Sequence, residues 1–402
     1  MENFKTFCSK SWTDINIDFE LRSLKHCCKA KPYDFPVKLE ESFISMSDMI
    51  KERRSLSLKN IAHDDCKHCW NDYSKGKSAF RDWANRWNDD YISKNLHKLD
   101  TDDLVSYIEI KPDRICDMAC LYCSHSSSSK IAQEEGITYE DKTNNEDYEV
   151  FKNWIKNYLI KQESNKQIVF IFLGGEPTAS DRFHQLADFI EEQAQIHSHL
   201  KIRLEICTNA NSKPFLMNKM KQRLDKGVVK WGIGISNESF GQTAELIRHG
   251  LNWQRFENNF KIYISHPNTE LLVMSPTINV FNLKTFPTYI NWVFEQFFTY
   301  APEKEFTWFG NYISWPEEMD IVNLPLEYLE YVEEAEQVLL SHSSNKKWLY
   351  QDNFLDFIRQ MKVRVGQNYN KRYKENIIRF LEKKQQVKKN VDLNILLENI
   401  DK

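Results

Sequence analysis

Three thiols fall within eight residues in Cys116-Asp-Met-Ala-Cys120-Leu-Tyr-Cys123, a C-x3-C-x2-C spacing. Three thiolates on one short loop can hold three irons of a 4Fe–4S cube and leave the fourth iron open to a non-protein ligand. Four-cysteine ligation would fill every site. An open iron lets a cluster do chemistry rather than only store an electron. Two other readings stand beside this one: a Cys3His zinc site using His125, two residues on, and thiols that only pack. The loop follows an apolar run of strand length, Leu104–Ile110, and in parallel α/β folds the functional face lies at the C-terminal ends of the strands.

The remaining cysteines are unevenly spread. Eight of the nine lie at or before Cys123, and none follows Cys207. The segment His63-Asp-Asp-Cys66-Lys-His68-Cys69-Trp70 carries a C-x2-C pair, a recurrent metal-ligand spacing. Cys66 and Cys69 could bind a second metal, with Cys27, Cys28, His26, His63 or His68 completing the site; redox thiols and simple packing are the alternatives. The chain opens without a basic segment leading into an apolar stretch, and no run reaches the ~18 apolar residues of a membrane helix. An odd cysteine count without export argues for reduced thiols in a cytoplasmic protein, away from membranes and without a disulfide framework. A formal net charge of −4 gives no electrostatic case for nucleic acid.

The elements that must position the loop are legible as alternation. Apolar runs of strand length occur at Leu104–Ile110, Ile168–Leu173, Ile202–Cys207, Val228–Ile235, Leu271–Met274 and Phe306–Ile313. Between them, helical spacing marks Tyr148–Ile160, Arg182–Gln195, Phe215–Leu224, a stretch centred on Phe256, and Phe286–Phe298. Repeated strand–helix alternation implies parallel strands with right-handed crossovers. Six such units predict an α/β fold, a partial (β/α)6 TIM-like barrel over 101–325, with an open doubly wound sheet as the competing arrangement. Residues 1–100 read as a mainly helical extension, including a helix over Phe43–Leu58, and 326–402 as a helical region with a solvated Lys-rich tail around Lys383–Lys389.

The three-cysteine loop, with Tyr122 before its last thiol, resembles the signature of the radical S-adenosylmethionine (SAM) superfamily. Further motifs of that superfamily recur in order. Phe172-Leu-Gly174-Gly175-Glu176-Pro177 closes the second run and is similar to the GGE motif that receives the methionine amino group. Paired glycines let a main chain approach a ligand, and a carboxylate complements an ammonium. Cys207-Thr208-Asn209-Ala210 resembles a T-N-G segment, Ser236-Asn237-Glu238-Ser239 an S-I-D-G stretch, and Ile247-Arg248-His249-Gly250 an IR-x-G element. Ala210 and Ser239 stand where relatives often have glycine. The segment Cys66-Lys-His-Cys69-Trp70 with Gly76, Ser78 and Arg81 resembles the region upstream of the core in a twitch-type subgroup.

The resemblance implies a 4Fe–4S cluster on Cys116, Cys120 and Cys123, and SAM held near Tyr122, Gly174, Gly175, Glu176, Thr208, Asn209, Ser236 and Arg248. Electron delivery to the cluster, from a donor such as a flavodoxin or ferredoxin, would cleave SAM to a 5′-deoxyadenosyl radical that abstracts hydrogen from a substrate. Peptide or protein substrates are expected first, a small molecule or nucleotide second. A non-catalytic Fe–S or zinc-binding interaction protein is the reading from another class. Cys207 is a candidate hydrogen-atom donor, as in some peptide-epimerising relatives. Twitch proteins carry cluster cysteines after the barrel; their absence here predicts no auxiliary cluster in the C-terminal part.

Overall fold

The computed structural model describes residues 6–31, 33–34, 39–74, 80–94, 104–139, 143–344, 348–387 and 393–400. Gly76 and Ser78 of the upstream element, and the Lys388–Lys389 end of the basic tail, lie outside these ranges. The chain divides into two compact units: Met1–Asp113 with Glu140–Gly174 and Asp181–Glu205, and Arg114–Tyr139 with Gly175–Ser180 and Ile206–Lys402.

In the first unit the strands are β1 (Asp14–Asp18), β2 (Ser23–Lys25), β3 (Tyr33–Asp34), β4 (Tyr107–Lys111), β5 (Gln167–Phe172) and the start of β6 (Lys201–Thr208). Their order is β6-β5-β4-β1-β2-β3. β4 runs parallel to β5, with Ile108 opposite Phe170 and Ile110 opposite Phe172. The helices Asn145–Ile160 and Asp181–Ile196 present apolar faces at the expected spacing, burying Phe151, Ile155 and Leu159 in one and Phe183, Leu186 and Ile190 in the other.

The N-terminal region, read as mainly helical, holds the helices Leu39–Leu58, Lys67–Ser74 and Phe80–Lys94, yet it also supplies three strands. β1 joins β4 in parallel, pairing Asn16 with Glu109. Its sequence, Asp-Ile-Asn-Ile-Asp, looks like a polar turn because three of five residues are Asp or Asn. The burial is offset by pairing: with its amide nitrogen toward Glu109, Asn16 donates to both carboxylate oxygens at 2.8 and 3.0 Å.

The second unit contains the end of β6, then β7 (Lys230–Ile235), β8 (Thr269–Met274), β9 (Thr277–Ile278), β10 (Glu305–Trp308) and β11 (Asn311–Tyr312). The order is β10-β8-β7-β6, with β9 and β11 forming a separate parallel pair. The crossovers are the helices Pro214–Lys226, Trp253–Ser265 and Phe286–Tyr300. The run Phe306–Ile313 is therefore two strands rather than one. At the break a Cβ on Gly310 would sit 2.4 Å from the ring of Phe357, so the backbone lies directly against that aromatic. Helices Leu329–Ser341, Gln351–Arg364, Tyr373–Val387 and Leu393–Glu398 follow.

Within each unit successive parallel strands are neighbours and the order advances one way. That is the winding of a partial (β/α)6 barrel; a doubly wound sheet reverses at a switch point. No described helix is long and apolar enough to cross a membrane.

Candidate functional site

The three-cysteine loop belongs to the second unit, and its burial alternates by residue type. Met118, Ala119 and Leu121 are buried, while Cys116, Cys120 and Cys123 are half-buried. The apolar residues anchor the loop, and the thiols stay partly accessible. Two backbone bonds tie the loop to the Ile247–Gly250 segment: Ala119 N–H donates to His249 O (2.8 Å) and Leu121 N–H to Ile247 O (2.9 Å). Gly250 takes φ +102°, and a Cβ there would lie 3.2 Å from Asp117 O, so the IR-x-G glycine marks a close approach to the loop.

Serines complete the anchorage. Ser128 Oγ donates to Met118 O (2.7 Å) and caps the helix Ser129–Glu134 by accepting from Ile131 N–H. Cys116 N–H donates to Ser129 Oγ at 3.1 Å. The serine run Ser126–Ser129 reads in the sequence as low complexity; a Ser-Ser pair before a short apolar helix turn was the signal available. His125, the fourth ligand of the zinc alternative, is exposed and pairs with Glu135 at 3.0 Å.

Glu176 and the end of β6 form a second set of contacts. Gly174 in the first unit takes φ +126°. In the second unit a Cβ on Gly175 would lie 2.1 Å from Ile115 O, and Glu176 N–H donates to that same oxygen at 2.7 Å. Only glycine fits there, so Gly175 lies directly against the backbone one residue before Cys116. The Glu176 carboxylate is 1% exposed and accepts four bonds. Thr178 N–H, Thr178 Oγ1 and Thr208 Oγ1 reach Oε1, and Asn209 N–H reaches Oε2 at 2.7 Å. Burial pushes its pKa up to about 7, against the pull of the Thr178 and Asn209 bonds. Glu176 thus braces the end of β6, and its lone pairs are largely used within the chain.

Asn209 in turn donates to Asp117 Oδ1 (3.0 Å) inside the cysteine loop. Ala210 follows with φ +53°, so the left-handed conformation that relatives give to glycine is kept by an alanine. Its neighbours hold it: Ala210 N–H donates to Thr208 Oγ1, and Asn259 Nδ2 bridges the carbonyls of Ala210 and Ser212 at 3.0 and 2.9 Å. Asn211 Nδ2 donates to Gly250 O (2.9 Å).

Tyr122 and Arg248 meet through Glu238, which the sequence alone did not single out as a site residue. Tyr122 Oη donates to Glu238 Oε1 at 3.0 Å, and Arg248 holds both oxygens of Glu238, with Nη2 at 2.6 Å. The Arg248 guanidinium lies 5.6 Å from the Tyr122 ring centre. Burial raises the Tyr122 pKa well above its usual value despite the neighbouring guanidinium. Arg248, expected near SAM, stands in a bidentate, buried ion pair; the fork geometry suits a carboxylate, and Glu238 supplies one.

Ser236 is half-buried and joins the group only through its backbone, its N–H donating to Thr208 O at 2.9 Å. Cys207 is also half-buried and sits on the face of β6 opposite Ile206 and Thr208. A Cβ on Gly234 of β7 would lie 3.1 Å from Cys207 Sγ. Cys66 and Cys69 belong to the first unit, on a 3-10 turn and the helix after it. None of the nine cysteines forms a disulfide.

The residues fit the cluster that the resemblance implies in donor chemistry and in support. Three thiols lie on one loop with their apolar neighbours buried. Burial, and after it the Cys120 thiolate, raises the Cys116 thiol well above its usual pKa, so cationic iron would be needed to draw off the proton. Among the described residues no group of three or more His, Cys, Asp or Glu is placed to hold a metal ion as it stands. A cube needs no convergence on one ion, since each thiolate takes its own iron.

No protein-family model and no curated protein matches the chain. Similar solved structures include native anSMEcpe with bound AdoMet, at 17% identity and a TM-score of 0.44, covering 63% of this chain and 66% of that one. Native anSMEcpe with bound AdoMet and Cp18Cys peptide gives 18% and 0.40, covering 63% and 65%. Streptococcus suis SuiB bound to S-adenosylmethionine gives 15% and 0.41, covering 76% and 60%. This chain spans under two thirds of each of those chains.

Proposed function

We propose that the protein is a radical SAM enzyme, with its cluster on Cys116, Cys120 and Cys123 and SAM held against Gly175 and the ends of β6 and β7. The observation that carries this reading is the mutual bonding of its motifs in one unit. The cysteine loop bonds to the IR-x-G segment, to Asn209 of the T-N segment and to Glu238 of the S-N-E segment. The GGE segment braces against Ile115 and Thr208. Ordinary strand-end turns give no reason for four such motifs to share hydrogen bonds.

When bound, the cluster and SAM would supply reductive cleavage of SAM to a 5′-deoxyadenosyl radical. The chain's own part is positional. Met118, Ala119 and Leu121 fix where the thiols stand. Tyr122, Glu238 and Arg248 lock that loop to the β7 end, and Glu176 holds the β6 end against the loop's approach. Gly175, with its backbone bare of a side chain, and the Thr208–Asn209 turn are the surfaces we assign to SAM. The supporting groups are rigid and buried, which suits a radical that must meet only its intended C–H bond.

The substrate class we assign is a peptide or protein, as the twitch-type resemblance implies, with a flavodoxin or ferredoxin as electron donor and Cys207 as a candidate hydrogen-atom donor. The test of the cofactor assignment is spectroscopic. The anaerobically reduced full chain should give a 4Fe–4S paramagnetic signal whose shape changes on adding SAM. A signal unaffected by saturating SAM would count against an open iron.

A further inference from the structure

The C-x2-C pair in the first unit does not stand alone. Cys8, Cys27, Cys66 and Cys69, from three separated stretches of sequence, line one small cavity of about 20 Å³. Cys69 and Cys27 are buried, and Cys8 and Cys66 half-buried. Cys28, next in sequence to Cys27 and hydrogen-bonded to it through the side chains, lines a different cavity with Asn16 and Glu109.

Each donor is held by the backbone around it. The side-chain amide of Asn85, on the helix Phe80–Lys94, brackets Cys8 on both sides: it accepts from Ser9 N–H (2.7 Å) and donates to Phe7 O (2.9 Å). Asn88 adds a bond to Ser9 Oγ, and Phe7 stacks on Trp12 at 4.8 Å in a buried apolar cluster. Cys66 N–H donates to His63 O, which also accepts from Trp70 Nε1, so the turn that spaces Cys66 from Cys69 is closed. Cations stand around the thiols. Arg53 interacts with Cys66 and Cys27, and Arg81, stacked 4.7 Å over Trp70, with Cys66. Of the imidazoles lining the cavity, His26 is engaged by Arg53 and His68 is exposed, which leaves the thiols as the donor set.

We infer that Cys8, Cys27, Cys66 and Cys69 ligate a second metal centre, a 4Fe–4S cluster closed on all four corners by protein thiolates. Four thiolates fill every iron, so this centre offers no open site and does not repeat the chemistry of the three-cysteine loop. The surrounding guanidiniums offset the net negative charge of a cluster bearing four thiolates. A cube takes each thiolate on its own iron, which suits four thiols brought from separate stretches of chain. Loading would draw the N-terminal segment, the β2 end and the Cys66–Cys69 turn together, so the centre would also staple three stretches of chain. All its ligands lie in the first unit, so the inference stands independently of the proposed function.

The test uses the full chain, purified anaerobically, with Cys116, Cys120 and Cys123 changed to Ala. About four irons and four sulfides per chain should remain, with a paramagnetic signal on reduction that SAM does not alter. Adding Cys66→Ala and Cys69→Ala should remove them. The converse variant, with Cys8, Cys27, Cys66 and Cys69 changed to Ala, should keep about four irons on the loop, so failure of either centre is seen separately. In case these variants do not fold, the wild-type chain is alkylated before and after iron removal. Cys8, Cys27, Cys66 and Cys69 should label only after removal, with exposed Cys28 labelling in both. A folded triple variant without iron, zinc in place of iron, or equal labelling before and after removal would overturn the inference.

Discussion

The two cysteine groups of this protein are built in opposite ways. The three-cysteine loop is local: its donors lie seven positions apart end to end (123 − 116), and the chain spends many buried hydrogen bonds on holding that one loop still. The N-terminal group is assembled from stretches up to 61 positions apart (69 − 8), each donor fixed by its own small turn or cap. A local loop can be preorganised without its metal, whereas a group gathered from distant stretches relies on metal to finish the gathering. The difference predicts that the first centre governs catalysis and the second governs how firmly the N-terminal region is held.

The largest expected effect tests that division. Cys120→Ala should lower 5′-deoxyadenosine formation by about a thousandfold or more, measured by chromatography, because no remaining pair of thiols can hold an open-site cube. Its iron content should fall by about half, not to zero. Complete loss of iron would show that the two groups are not separate.

Next comes the lock between the loop and β7. Arg248→Met leaves the Glu238 carboxylate, 1% exposed, without its cation, and should cost about 3–5 kcal/mol in chemical denaturation. The paired change Arg248→Met with Glu238→Gln should recover part of that loss. An effect within about 0.5 kcal/mol of wild type for the single change would mean that the loop is not held through this pair.

Glu176→Gln should cost about 1–3 kcal/mol, because the new amide NH2 would face Asn209 N–H, donor against donor. The pH dependence has a defined sign. A buried carboxyl raised from 4.5 to about 7 favours the protonated form in the folded state. Its contribution is therefore fully present below about pH 4.5 and is lost as pH rises toward 7. Glu176→Gln should remove that part of the slope, read from denaturation midpoints across the range.

The smallest change is Ala210→Gly. Relieving a left-handed alanine should stabilise the chain by about 1 kcal/mol, offset in part by the greater freedom of glycine when unfolded. Destabilisation would show that the Ala210 methyl packs for more than its strain costs.

Much of this was legible in the sequence. Six strand runs and their helices emerged because parallel strands buried on both sides read as apolar runs, and amphipathic helices as threes and fours. The cysteine loop and GGE segment were visible because their chemistry is encoded at short spacing. What stayed hidden depends on contacts distant in sequence. β1 looked polar because its partner Glu109 lies 93 positions on. The pairing of Arg248 with Glu238 stayed hidden because nothing local joins the two. Cys8 carried no signal by itself; only the cavity joins it to the C-x2-C pair. Ala210 shows the reverse, a missing glycine whose backbone path survives because Asn259 and Thr208 hold it.

The central claim is tested most directly by incubating the anaerobically reconstituted full chain with SAM and a low-potential reductant, then quantifying 5′-deoxyadenosine and methionine. The account predicts both products, formed in equal amounts and abolished when Cys116, Cys120 and Cys123 are replaced. A chain with its loop cluster fully loaded and reduced that leaves SAM intact would contradict it.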